Sequence, residues 1–187
     1  FMRPELVTQF KGPKPPESKP AKLVYAGRLS AEYGVAAMLG AMPLLPDTVE
    51  LHLFGKGPMQ EEVEAAASKD ARIKYHGYRS MEVIYEAIKS STLYLNFRPV
   101  GQSIEDLSFP SKLLEALGLG AVILTTPLSG IPTDYHGAVE FAPSIEPEDV
   151  AKQIRDLLES PERRAEIRAH ARALVEKRCL PEARGQL

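Results

Sequence analysis

Glu115 stands four residues after Ser111 in a stretch, residues 108–135, that reads SFPSKLLEALGLGAVILTTPLSGIPTDY. Pro110 suits the first turn of a helix, where its missing N–H costs nothing, and Leu113, Leu114 and Leu117 give that helix an apolar face. The free backbone N–H groups of Ser111, Lys112 and Leu113, the positive end of the helix dipole and the Lys112 charge together suit a phosphate. The Glu115 side chain leans toward the same helix mouth. A carboxylate there repels phosphate but accepts hydrogen bonds from a pair of hydroxyls, as on a ribose whose attached diphosphate the amides would hold. Lys112 and Glu115 equally suit a solvated helix face with a favourable dipole arrangement.

The elements that must position these groups follow from the apolar pattern. Gly118 and Gly120 end the helix, and residues 121–125 read as a strand buried on both faces. Upstream, strands are expected over 22–26, 49–54, 72–75 and 92–96, with helices over 31–45, 59–68 and 81–89, the last with Ser80 as N-cap. A short strand over 139–142 and amphipathic helices over 148–159 and 162–178 complete the chain. This alternation predicts an α/β fold with a doubly wound parallel sheet, Rossmann-like, whose ligand sits beyond the carboxyl ends of the strands. Gly27 and Arg28 follow the first strand, Lys56 the second, Tyr78 and Arg79 the third and Arg98 the fourth, while Ser111 to Glu115 open the next helix. Chain order alone therefore gathers them on one sheet edge.

Each of these residues also has a plainer reading. Arg28 suits a surface loop and Lys56 a solvated turn, and Arg98 has Glu105 and Asp106 as well as a phosphate for partners. The turn Gly55-Lys56-Gly57-Pro58 is neither a G-x-G-x-x-G fingerprint nor a P-loop, since no Ser or Thr follows Lys56. His76 lacks a second His or a paired carboxylate at informative spacing and reads as structural.

Composition narrows the classes. At 187 residues, 44% hydrophobic and 26% charged, the chain has room for one good core, expected over 21–178. A net charge of −2 gives no argument for nucleic acid as a partner. The lone Cys179 excludes an internal disulfide and a cysteine metal cluster, and no cofactor is expected. With no membrane-length apolar run and no signal-peptide pattern, the chain reads as cytoplasmic. Pro4, Pro13, Pro15, Pro16 and Pro20 make residues 1–20 an expected interdomain linker after a missing N-terminal domain, and 179–187 reads as a tail. The start at Phe1 suggests a piece of a longer protein.

At the central block the chain resembles the C-terminal, nucleotide-sugar-binding half of family 4 glycosyltransferases, which have the two-domain GT-B fold. Glu115, Gly120, the strand Val122 to Thr125 and Gly130-Ile131-Pro132 carry the likeness. Asn96-Phe97-Arg98-Pro99 and Ser108-Phe109-Pro110-Ser111-Lys112 look closest to a subgroup from bacterial surface-polysaccharide assembly. Two positions depart from the pattern. The first acid of the family pair falls on Leu107, behind Glu105 and Asp106, and Tyr33 stands where many members have Lys.

The resemblance implies a retaining, metal-independent transferase that moves a sugar from a nucleoside diphosphate to an acceptor hydroxyl, on a sugar, a lipid-linked or another acceptor. By it, Arg28 and Lys112 stabilise the leaving diphosphate, Glu115 holds the ribose, Lys56 lines the donor cleft, and the backbone around Tyr78 and Arg79 meets the nucleobase. The acceptor site would lie on the missing N-terminal domain, so this piece would bind donor and turn over poorly. That domain also leaves open a peripheral place at the inner face of a membrane. Leu107 and Tyr33 favour the alternative of a nucleotide-binding module without chemistry. A GT-B epimerase half fits the Gly-Ile-Pro block less well.

Overall fold

A computed structural model describes residues 19–98, 111–127 and 130–179, with backbone alone for Ser111, Arg178 and Cys179. Six strands form one parallel sheet: β1 (Ala21–Ala26), β2 (Val49–Phe54), β3 (Ile73–Gly77), β4 (Leu93–Asn96), β5 (Ile123–Thr125) and β6 (Glu140–Phe141). Their order across the sheet is β3-β2-β1-β4-β5-β6. The helices are α1 (Val35–Ala41), α2 (Gln60–Lys69), α3 (Met81–Ser90), α4 (Ser111–Gly118), α5 (Pro147–Glu159) and α6 (Pro161–Cys179). Among the described residues no helix is long and apolar enough to cross a membrane.

Alternation along the strands divides the core in two. Leu23 and Tyr25 of β1, with Leu51 and Leu53 of β2, pack against Val35 and Met38 of α1, Val63 of α2 and Ile154 of α5. Val24 and Ala26, their neighbours in β1, face the other way with Phe54, onto Ile88 of α3, Leu113 and Leu117 of α4 and Val175 of α6. Burial on both faces is why residues 23–26 of β1 read Leu-Val-Tyr-Ala without a charged residue. The expected doubly wound sheet is the observed one. Its switch point lies between β1, whose following helix covers one face, and β4, whose following helix covers the other.

The structure corrects local expectations. Residues 31–45 are not one helix: a 3-10 turn (Ala31–Tyr33) ends at Gly34, α1 follows, and a second 3-10 turn (Met42–Leu44) closes the segment. Gly34 has φ +71°, and a Cβ there would stand 2.8 Å from the Phe97 Cβ, so the chain bends over a fully buried ring. Ser80 occupies the N-cap of α3 with extended backbone, but its hydroxyl makes no capping bond. β5 and β6 are shorter than expected, because Ala121, Val122, Val139 and Ala142 are buried outside the strands themselves. Pro110 and Leu107 lie outside the described residues.

His76 is built into the fold, stacked on Phe54 at 4.4 Å between ring centres. His52 Nε2 lies 3.2 Å from Glu50 Oε2, and its Nδ1 lies 3.0 Å from His76 Nε2. With Nε2–H donating to the carboxylate, His52 Nδ1 is left to accept from His76 Nε2–H. Burial pushes both imidazoles below the usual histidine range. Glu50 partly offsets this at His52, and the charges of His52, Arg79 and Lys74 add to it at His76. The folded chain thus binds fewer protons here than the unfolded one, so this stability is complete above about pH 6.5 and lost as pH falls below it. His76→Phe keeps the stack on Phe54 and cannot protonate. Thermal unfolding against pH is expected to show a shallower acid limb for this variant than for wild type, and identical limbs would contradict the assignment.

Candidate functional site

The site begins where three strands end. The loops after β1, β2 and β3 are tied by backbone hydrogen bonds. Gly27 N–H donates to Phe54 O at 3.0 Å, Leu29 N–H to Lys56 O at 3.0 Å, Met59 N–H to Leu29 O at 3.0 Å, and Gly55 N–H to Gly77 O at 2.9 Å. Two tyrosines brace this array from below. Tyr25 OH donates to Arg28 O at 2.7 Å and Tyr75 OH to Gly55 O at 3.0 Å. Burial, before the neighbouring tyrosines, pushes the Tyr25 phenol well above its ordinary range, so it stays a donor. Across the switch point, Lys112 Nζ of α4 donates to Ala26 O at 3.3 Å, joining the helix mouth to the end of β1.

These parts enclose a cavity of about 330 Å³. Gly27, Arg28, Lys56, Tyr78, Arg79, Lys112 and Glu115, all singled out from the sequence, line it together. Four cationic residues and one carboxylate residue therefore line one cavity in a chain whose net charge is −2. Low-dielectric walls focus such a field on an anion. Lys112 is open to solvent on one side, yet burial of its ammonium, and then Arg98, hold it below the usual lysine range, with Glu115 acting the other way. An ammonium so placed gains from a bound anion.

Three expected residues stand differently. Arg98 lies off the lining, its guanidinium 5.9 Å from the centre of the Tyr33 ring. Leu113 turns its side chain wholly into the core, so only its amide can serve a ligand. Ser111 contributes backbone at the first position of α4, and Glu105 and Asp106, the other partners considered for Arg98, fall outside the described residues.

Sequence reasoning missed the apolar wall. Met81, Ile84, Tyr85 and Ile88 of α3 line the cavity with Phe54 and Tyr94. Their spacing is a helical stripe, which sequence alone assigns to core. Only Ile88 at its end is fully buried, while Met81 at its start and Tyr78 before it are exposed at 40% and 72%. Tyr94 is buried in β4, where desolvation and then Glu115 push its phenol upward. A tyrosine between two leucines in β4 was the available signal.

A doubly wound parallel sheet with its cavity at the switch point defines a Rossmann-like α/β domain. Residues 20–160 match the family described as glycosyl transferases group 1, and the chain belongs to that family. No curated protein matches it. Among solved structures, Alr3699/HepE of Anabaena in complex with UDP aligns with a TM-score of 0.69 at 18% identity, over 84% of this chain and 44% of that one. The catalytic domain of cholesterol-alpha-glucosyltransferase from Helicobacter pylori aligns with a TM-score of 0.65 at 21% identity, over 83% and 96%. WaaG, a glycosyltransferase involved in lipopolysaccharide biosynthesis, aligns with a TM-score of 0.68 at 21% identity, over 94% and 47%. The fold is that of the C-terminal half of a GT-B protein, and the chain spans somewhat under half the length of HepE and WaaG.

Proposed function

We propose that the chain is the donor-binding half of a retaining, metal-independent glycosyltransferase that moves a hexosyl group from a nucleoside diphosphate to an acceptor hydroxyl in polysaccharide or glycoconjugate synthesis. The observation that carries this reading is the cationic cavity at the switch point, with Lys112 and Glu115 on one helix mouth. Arg28, Lys112 and the amides of Ser111, Lys112 and Leu113 receive the diphosphate. Glu115 accepts the ribose hydroxyls, and Lys56 stands at the cleft edge. The backbone at Tyr78 and Arg79 meets the base against the apolar wall of α3. As the bond from the anomeric carbon to the phosphate oxygen breaks, negative charge grows on the leaving diphosphate, and fixed cations and amides stabilise it. That HepE is described with UDP and with UDP-glucose supports a nucleotide sugar as donor.

The acceptor, a sugar or a lipid-linked hydroxyl, and the rest of the reaction centre belong to an N-terminal domain. The chain alone then binds donor and turns it over poorly. A second reading, a nucleotide-binding module without chemistry, draws on Tyr33 and Leu107 at positions charged in the family. Calorimetric titration with UDP, GDP, ADP and their sugar conjugates tests the first step common to both. One nucleotide is expected to bind in preference, with affinity at least about tenfold lower in Glu115→Ala and Arg28→Ala. No binding by well-folded protein, or equal binding by the variants, would overturn the site assignment. Transfer by the protein carrying its N-terminal half separates enzyme from module.

A further inference from the structure

We propose that Arg98, lying beside the Tyr33 ring and pinned through its backbone by Thr126, is the cation that meets the distal phosphate of the donor, the one bearing the sugar. The proposal rests on the donor-site reading and extends it to a residue outside the cavity lining.

The backbone of Arg98 is held on both sides. Its N–H donates to Thr126 Oγ1 at 3.1 Å, and that hydroxyl donates to Arg98 O at 2.9 Å. Thr126 is buried, and just before it Thr125 Oγ1 donates to Asn96 O at 2.7 Å. Two successive threonines at the end of β5 thus fix the exit of β4, so the Arg98 side chain starts from a rigid base. Its far end meets Tyr33, which belongs to the 3-10 turn reached from β1. Arg98 and Tyr33 therefore face each other across the switch point, one from each strand. At 5.9 Å from the ring centre the guanidinium is within the range of cation–π attraction, which restrains it while leaving its N–H donors for another partner.

Charge supplies the second argument. Among the described residues no carboxylate pairs with Arg98. Its field reaches Lys112 and helps to depress that ammonium, so the fold holds two like charges within reach of each other, with Glu115 acting the other way on Lys112 among the described residues. Such crowding disfavours the empty site and is relieved by a ligand with more than one negative charge. Position separates the two cations. Lys112 lines the cavity with Glu115, whereas Arg98 is off that lining, at the exit of β4 and so across β1 from the ends of β2 and β3. A nucleoside seated in the cavity places its first phosphate at Lys112, and only a second phosphate reaches onward to Arg98.

The test compares UDP with UMP, GDP with GMP and ADP with AMP on wild type, Arg98→Ala, Arg98→Lys, Tyr33→Phe and Tyr33→Ala. In Arg98→Ala the diphosphate that wild type prefers is expected to bind about tenfold or more weakly, with the monophosphate within about twofold of wild type. Arg98→Lys restores part of the loss, Tyr33→Phe keeps wild-type selectivity, and Tyr33→Ala loses a few-fold of it. Equal losses for mono- and diphosphate, or no loss at all, would overturn the proposal while leaving the donor site standing. The latter is the result if Arg98 is neutralised by Glu105 or Asp106. Failure of wild type to bind any of the nucleotides would overturn the donor-site reading and this proposal with it.

Discussion

Gly55→Ala is expected to cost about 3–4 kcal/mol of folding stability and to abolish nucleotide binding in whatever fraction remains folded. Gly55 has φ +132°, a conformation that side chains rarely adopt, and an added Cβ would stand 1.8 Å from Gly27 O. No rotamer relieves that contact, because both partners are backbone. The β1 and β2 loops would have to part, breaking the bonds from Gly27 to Phe54 and from Leu29 to Lys56. Those bonds place Arg28 and Lys56 on one wall, so the damage passes directly to the cavity. Denaturant unfolding and nucleotide titration on the same preparation read both effects. A variant with wild-type stability would contradict the zipped arrangement of the three loops.

Arg72→Met is expected to be nearly as destabilising, by about 2–3 kcal/mol, without changing nucleotide affinity in the folded protein. Its side chain is 19% exposed, and its guanidinium spans otherwise separate parts of the chain. Nη2 donates to Met42 O at 3.0 Å and to Asp70 Oδ2 at 2.7 Å, Nη1 donates to Leu45 O at 3.0 Å, and Nε donates to Asp70 Oδ1 at 3.0 Å. Arg72 thereby supplies a donor to Leu45 O and a second donor to Met42 O, which also accepts from Leu45 N–H, where the segment after α1 ends. Methionine keeps much of the packing and none of the donors. All of this lies near the start of β3, away from the strand ends that form the cavity. A loss of nucleotide affinity equal to that of the site variants would contradict the separation between this end of the sheet and the other.

The two variants also mark what the sequence conveys. β5 was legible because burial on both faces demands an apolar run, and the placing of Arg28, Lys56, Tyr78, Lys112 and Glu115 on one edge followed from a parallel sheet's order. Gly55 read only as a turn residue, since nothing local reveals that Gly27 O lies against it. The break at Gly34 was hidden for the same reason: it is imposed by Phe97, distant in sequence. The α3 stripe conveyed its helix and not its surroundings, because a helical period reports an apolar neighbour and not whether that neighbour is protein or an open cavity. Arg72 could be paired with Asp70 from sequence, but not with the carbonyls of Leu45 and Met42, 27 and 30 positions away, which any residue supplies.

The first measurement is a map of amide chemical shifts of the wild-type chain during titration with UDP, GDP and ADP. The bound nucleotide is expected to perturb amides at 26–28, 55–56, 78–79 and 111–115, the ends of β1, β2 and β3 and the mouth of α4. A second cavity, of about 350 Å³, opens at the opposite strand ends, among Ala21, Val49, Thr92 and Arg155. Perturbations centred there, or scattered over the surface with no focus at Lys112 and Glu115, would contradict the donor-site assignment.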